Sequence, residues 1–192
     1  LIRVTLTDGK SQMLVASYNG KVVRFPEDTV RPMGRTATGV RAIKLDEDGQ
    51  DRVVGMICVE EGSKDTVLVI SDKGYGKRTM LDDENGEPIY RITNRGGKGV
   101  KTMNLTDKTG NLIDMEAVND DQDLMLITKS GTAIRMDMSS ISVLGRATQG
   151  VKLIELQKRN DTLMFGCVVP KEETEEQTVE EVSTEETTIT EE

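Results

Sequence analysis

The chain has 192 residues, 34 of them acidic and 25 basic, giving a formal net charge of −9, and it contains no histidine. Imidazole acid–base catalysis, histidine-based triads and histidine-ligated zinc are therefore excluded. No run approaches the ~18 apolar residues of a membrane-spanning helix, and the first residues carry no signal-peptide pattern.

The net charge conceals a division. Residues 171–192 contain ten Glu and one Lys and carry −9 on their own, whereas residues 1–170 hold 24 acidic and 24 basic residues. A neutral body still presents a basic face where its Lys and Arg cluster.

In chain order, residues 1–6 read as a strand that opens the chain midway. With Leu1 in place of an initiator methionine, this marks the sequence as a fragment. Residues 13–18 and 21–25 flank Asn19-Gly20, a dipeptide that predicts a hairpin with a type I′ turn. Pro26 and Pro32 fence a connection to Met33-Gly34-Arg35-Thr36-Ala37-Thr38-Gly39-Val40-Arg41, after which residues 40–45 are predicted as a strand.

A second unit repeats this order. Residues 53–59 match 1–6, residues 66–71 match 13–18, and the turn is Asp72-Lys73-Gly74. A polar loop then leads to Thr93-Asn94-Arg95-Gly96-Gly97-Lys98-Gly99-Val100-Lys101. A third unit comprises residues 112–118, 123–128, the turn Lys129-Ser130-Gly131 and residues 132–136. It ends in Leu144-Gly145-Arg146-Ala147-Thr148-Gln149-Gly150-Val151-Lys152. Residues 163–169 form a fourth opening strand with no partner after it. Cys58 and Cys167 lie in apolar strands and read as buried, reduced thiols.

The three loops share Arg-x-x-x-Gly-Val-[Arg/Lys], with glycines at 39, 99 and 150, so the spacings are 60 and 51 residues. A fixed signature at such a period indicates repeats. Short β-branched segments, glycine turns and no sustained helical period predict an all-β protein of blade-like sheets with about four strands each. Residues 171–192, rich in Glu and lacking an apolar face, are predicted to be disordered, so the domain is expected to span 1–170.

Nothing in the sequence supports catalysis. Gly96-Gly97-Lys98-Gly99 lacks the spacing and the hydroxyl of a phosphate-loop NTPase. Anion recognition remains. Arg95 and Lys98 stand among Gly96, Gly97 and Gly99, with Arg91 and Lys101 beside them. The other loops add Arg35, Arg41 and Lys44, then Arg146 and Lys152. In each hairpin the residue four after the turn glycine is also an arginine: Arg24, Arg78 and Arg135.

Arg-Gly-Gly-Lys-Gly-Val-Lys, Leu-Gly-Arg-Ala-Thr-Gln-Gly-Val and Lys-Ser-Gly-Thr-Ala-Ile-Arg together resemble the C-terminal domain of the A subunit of bacterial DNA gyrase. Residues 93–99 keep five of the seven residues of that family's heptapeptide Gln-Arg-Arg-Gly-Gly-Lys-Gly. The resemblance implies a β-pinwheel, a propeller-like disc whose blades exchange strands, here represented by about three to four blades. It further implies that double-stranded DNA wraps the basic rim in support of ATP-dependent negative supercoiling. The implied partners are the gyrase B subunit together with the rest of the A subunit, in an A2B2 enzyme of the cytoplasm and nucleoid. The catalytic tyrosine and the ATP and Mg2+ sites are implied to lie elsewhere, leaving this chain without cofactor. Two alternatives stay open: the related domain of the topoisomerase IV A subunit, and a propeller that binds acidic proteins.

Overall fold

The computed structural model describes residues 1–47, 49–156 and 160–171. Among these are eleven strands: β1 (Gln12–Ser17), β2 (Lys21–Pro26), β3 (Val53–Val59), β4 (Thr66–Ser71), β5 (Tyr75–Met80), β6 (Val100–Lys101), β7 (Leu112–Val118), β8 (Gln122–Thr128), β9 (Ala133–Asp137), β10 (Val151–Lys152) and β11 (Leu163–Pro170). They form three antiparallel sheets of order β3-β1-β2-β6, β10-β5-β4-β7 and β11-β8-β9. The acidic segment from residue 172 onward lies outside the described residues.

Each sheet is built on one hairpin, β1–β2, β4–β5 or β8–β9. The turns close with an N–H···O bond of 3.0 Å from Gly20 to Ser17, Gly74 to Ser71 and Gly131 to Thr128. Those glycines have φ of 78°, 80° and 87°, and Asn19 does not share the positive φ. The expected type I′ turn is thus replaced by a four-residue turn ending in a left-handed glycine, which adds a bulge to the returning strand.

The remaining strands are borrowed. β3, the opening strand of the second unit, pairs with β1 of the first, and β6, which follows the second loop, pairs with β2. β7 and β10 repeat this exchange on the second hairpin, and β11 closes on β8. This is the strand exchange of a β-pinwheel. It places residues 163–169 on the preceding hairpin. It also corrects three expectations. Residues 1–6 form no strand, and Leu1, Ile2, Val4 and Leu6 are exposed. Their counterparts β3, β7 and β11 each pair backward, and no hairpin precedes residues 1–6 within this sequence. Residues 40–45 likewise form no strand beyond one parallel bridge from Ile43 to Gly97. Finally, the third sheet has three strands, because among the described residues no further loop covers β9.

The core lies between consecutive sheets. Leu14, Ala16, Ile57, Val67, Val69 and Met115 fill the first seam, and Leu68, Ile70, Leu124, Leu126 and Met138 the second. β4 is buried at all six positions because neighbours cover both its faces, and its near-continuous apolar run follows from that. In β8 burial alternates, since one face meets the second sheet and the other is partly open. Each fully buried aliphatic side chain contributes roughly 1.5–3 kcal/mol. Cys58 and Cys167 are free and only half-buried, not fully enclosed as expected.

Candidate nucleic-acid interface

The second loop, residues 93–99, lies across the β1–β2 hairpin. Thr93 N–H donates to Arg24 O at 2.8 Å, and β6 then pairs Val100 with Val22 and Lys101 with Lys21. Gly99 makes this close approach possible. Its φ is +72°, and a Cβ there would stand 2.5 Å from Val22 O. The third loop repeats the contact on β5. Leu144 N–H donates to Arg78 O at 2.8 Å, and a Cβ on Gly150 would stand 2.7 Å from Gly76 O.

Successive loops also lock onto one another. Gly96 N–H donates to Ala42 O at 2.6 Å and Lys44 N–H to Gly97 O at 2.8 Å, so the segment after the first loop borders the second. Asn104 N–H donates to Thr148 O at 2.9 Å, so the segment after the second loop borders the third. The loop arginines follow the same rule. Arg95 donates to Thr29 O at 3.0 Å and Arg41 O at 3.5 Å, and Arg146 donates to Lys101 O. Because Arg41 and Lys101 each lie two residues after the repeat glycine, the interlock gathers cations in pairs, Arg41 with Arg95 and Lys101 with Arg146.

The fifteen sequence-predicted residues separate by partner. Arg35, Arg41, Arg91, Lys98 and Lys101 are exposed and form no ion pair among the described residues. Arg95 and Arg146 are half-buried and donate to the backbone carbonyls named above, which leaves their charge uncompensated. Lys44 and Lys152 are exposed but lie 4.0 Å from Glu47 and 2.6 Å from Glu155. Gly96, Gly97 and Gly99 shape the second loop. A cavity of about 270 Å3 opens beside it, lined by Arg91, Thr93, Asn94, Gly97, Lys98 and Gly99.

The hairpin arginines have another role. Arg24 is 7% exposed and donates to Gln12, Asp82 and the carbonyls of Leu81 and Tyr90. Arg78 is 6% exposed and donates to Ile141 O and Asp120. Arg135 is exposed, but it binds Asp123 and Pro170 O. Equivalent register places these arginines in equivalent spots: Arg24 and Arg78 fasten loops to strands, and Arg135 ties β9 to β8 and β11. Their ladder of carbonyls and acids leaves Arg24 and Arg78 enclosed.

One residue escaped the sequence reading. Lys77 is fully buried on β5, and its ammonium donates to Gly145 O and Arg146 O, both at 2.6 Å. Burial, and then the charge of Arg146, lowers its pKa to about 8. The available signal was register. The equivalent positions are Val23 and Ile134, so a cation there departs from the repeat.

The family model described as DNA gyrase C-terminal domain, beta-propeller, matches residues 12–60, 65–83, 90–119 and 122–165. The chain belongs to this family. It is 44% identical over 184 residues to the DNA gyrase A subunit of Staphylococcus aureus strain MRSA252, covering 96% of this chain and 20% of that protein. The same protein of strain NCTC 8325 gives 44% over 181 residues, with 94% and 19% covered. The chain therefore spans about a fifth of the curated relatives it matches. Among solved structures, a DNA gyrase A C-terminal domain superposes with a TM-score of 0.71 at 26% identity, over 83% of this chain and 51% of the other. The C-terminal domain of a DNA topoisomerase IV gives 0.77 at 20% identity, over 88% and 49%, a likeness of fold alone.

Proposed function

We propose that this chain is a DNA-wrapping part of a gyrase A subunit, binding duplex DNA along its interlocked loops and catalysing nothing itself. The observation that carries the proposal is the pairing of Arg41 with Arg95 and Lys101 with Arg146, beside Arg91 and Lys98, with no acid partner among the described residues. Cations set once per blade along a curved edge suit a polyanion that bends around it. Strand passage and ATP hydrolysis then belong to the other domains of the A subunit, together with the B subunit, in a cytoplasmic, nucleoid-associated A2B2 enzyme. No ATP or Mg2+ is assigned to this chain. Arg35, Lys44 and Lys152 extend the surface, the last two attenuated by their glutamates. Arg24 and Arg78 support it from within, Arg135 braces the third sheet, and none of the three is counted among the contact residues.

Arg95→Ala combined with Lys98→Ala tests the proposal. Duplex affinity at low salt should fall at least tenfold with the fold retained: exposed Lys98 contributes little to folding, and losing the half-buried Arg95 bonds to Thr29 O and Arg41 O should cost about 1 kcal/mol. For the wild type, about six phosphate contacts predict a loss on the order of a thousandfold in affinity between about 50 and 200 mM salt, with slight sequence preference. Salt-independent binding, or affinity for acidic proteins exceeding that for DNA, overturns it. A supercoiling assay with the intact enzyme distinguishes gyrase from topoisomerase IV.

A further inference from the structure

The second loop carries two cations, Arg95 and Lys98. In the third loop Arg146 aligns with Arg95, but Gln149 stands in place of Lys98. A second cation lies beneath the third loop instead. Lys77 and Thr79 point from β5 into the row of carbonyls at 144–146: Thr79 Oγ1 donates to Leu144 O at 3.0 Å, and Lys77 Nζ to Gly145 O and Arg146 O. Lys77 and Thr79 are both fully buried. A buried ammonium is costly unless its donors are engaged, and two charge-assisted bonds to carbonyls take up two of its three.

We propose that Lys77 is a positioning residue of the DNA interface, holding the carbonyls of the third loop inward so that the loop presents Arg146 outward. Geometry supplies the reason. All described peptides are trans, so N–H and C=O of one unit point in opposite directions. Drawing in the oxygens of Gly145 and Arg146 turns out the N–H groups of Arg146 and Ala147, on the side where a phosphate would meet the guanidinium. The second loop reaches a fixed shape by other means: its own glycines, the Gly96–Ala42 bond and Arg95 on Thr29 O. It needs no lysine below, and Val23 occupies that place. Lys77 thus restores to the third loop some of the positive potential lost with Gln149, from a position that touches no DNA.

The effect of Lys77 on affinity rests on the DNA-binding reading, whereas the loop geometry can be measured alone. The test uses the full chain with Lys77→Met, which keeps the stem and removes charge and donors. Amide exchange at Leu144 and Thr148, whose N–H groups are held by Arg78 O and Gly145 O, should quicken about tenfold, as expected for losing roughly 1.4 kcal/mol of local restraint. Duplex affinity should fall several-fold, and adding Arg146→Ala should lower it little further, since both changes act at one contact. Lys77→Gln, retaining two donors, should recover part of the exchange protection. If Lys77→Met fails to fold, Lys77→Gln and Thr79→Val carry the same measurements. Unchanged exchange at Leu144 and Thr148, or losses from Lys77→Met and Arg146→Ala that simply add, overturns the proposal. A wild-type chain without duplex affinity overturns the DNA reading and with it the functional half, while the exchange result still decides the structural half.

Discussion

The first and second loops carry the same signature in opposite settings. Residues 31–39 are exposed throughout, and a Cβ added at Gly34 or Gly39 would meet nothing within 4 Å. Around Gly99 the same motif is pressed onto Val22 and Val23. The difference is a hairpin: β1–β2 receives the second loop, whereas no hairpin among the described residues packs against the first. The repeat signature therefore encodes a clasp between one unit and the hairpin before it. Cation display follows from the clasp, since Arg95 and Arg146 are aimed by carbonyls of the neighbouring segment.

The largest test of this contrast is a matched pair of substitutions. Gly99→Ala meets both a left-handed backbone and a carbonyl at 2.5 Å, and should destabilise the chain by about 3 kcal/mol or more. Gly39→Ala has the same sign of φ, +82°, but open space, and should cost about 1 kcal/mol. Urea midpoints of the two variants give the comparison directly. Equal losses would mean that the glycines serve backbone conformation alone and that the clasp is incidental.

A second contrast lies between cations that fasten and cations that face outward. Arg24→Ala strands the carbonyls of Leu81 and Tyr90 and the carboxylate of Asp82, and should cost about 2–3 kcal/mol. Arg91→Ala, at an exposed position, should stay within about 0.5 kcal/mol. Thermal unfolding of both variants decides it. If Arg24→Ala were stable yet lost DNA affinity, Arg24 would rejoin the contact residues.

The strands were legible in the sequence because their cause is local. Alternating or continuous β-branched residues between glycine turns place β4 and β7 at their observed ends. Pairing was not legible, because which hairpin a strand joins depends on a neighbour some forty residues away. That is why residues 1–6 looked equivalent to β3 and lacked its partner. The loop glycines and cations of the candidate site were legible as equivalent positions because they repeat. The hairpin arginines could not be sorted the same way, since register reports equivalence without revealing whether the shared place is rim or interior. Lys77 was hidden for the converse reason: it breaks the repeat where repetition was the guide.

The two seams between sheets sharpen the comparison further. Gly55 on β3 faces Met115, whereas the equivalent place on β7 holds Asp114, which accepts from Met115 N–H at 2.9 Å and Gly166 N–H at 3.4 Å. Burial, then the charge of Glu116, raises its pKa from 3.8 to about 6, against the pull of those N–H groups and Arg3. Because the folded value lies above the unfolded one, the folded chain binds the extra proton between these limits. Stability should therefore rise as pH falls from about 6 to 4. Asp114→Asn should stabilise the second seam by about 1–2 kcal/mol at pH 7.5, with the gain vanishing below about pH 4. A gain that persists at pH 3.5 would show that the amide improves packing and that the proton is irrelevant.

The smallest expected effect concerns the acidic segment, which contrasts with the basic loops in charge. Ten glutamates follow Lys171, whose ammonium pairs with Asp137 at 2.6 Å beside the end of β9. Carried on the same chain as the basic loops, they are expected to act at a raised effective concentration and to compete with phosphates for the same cations. Removing residues 172–192 leaves the Lys171 pair intact. It should raise duplex affinity about three- to fivefold at low salt, with little change in stability. The gain must close as the Debye length falls to about 3 Å near 1 M salt, since nothing else distinguishes the two chains. Titrating both with one duplex at low and high salt measures it. Equal affinities at low salt would make the segment a solubility device and leave the loops without an internal competitor.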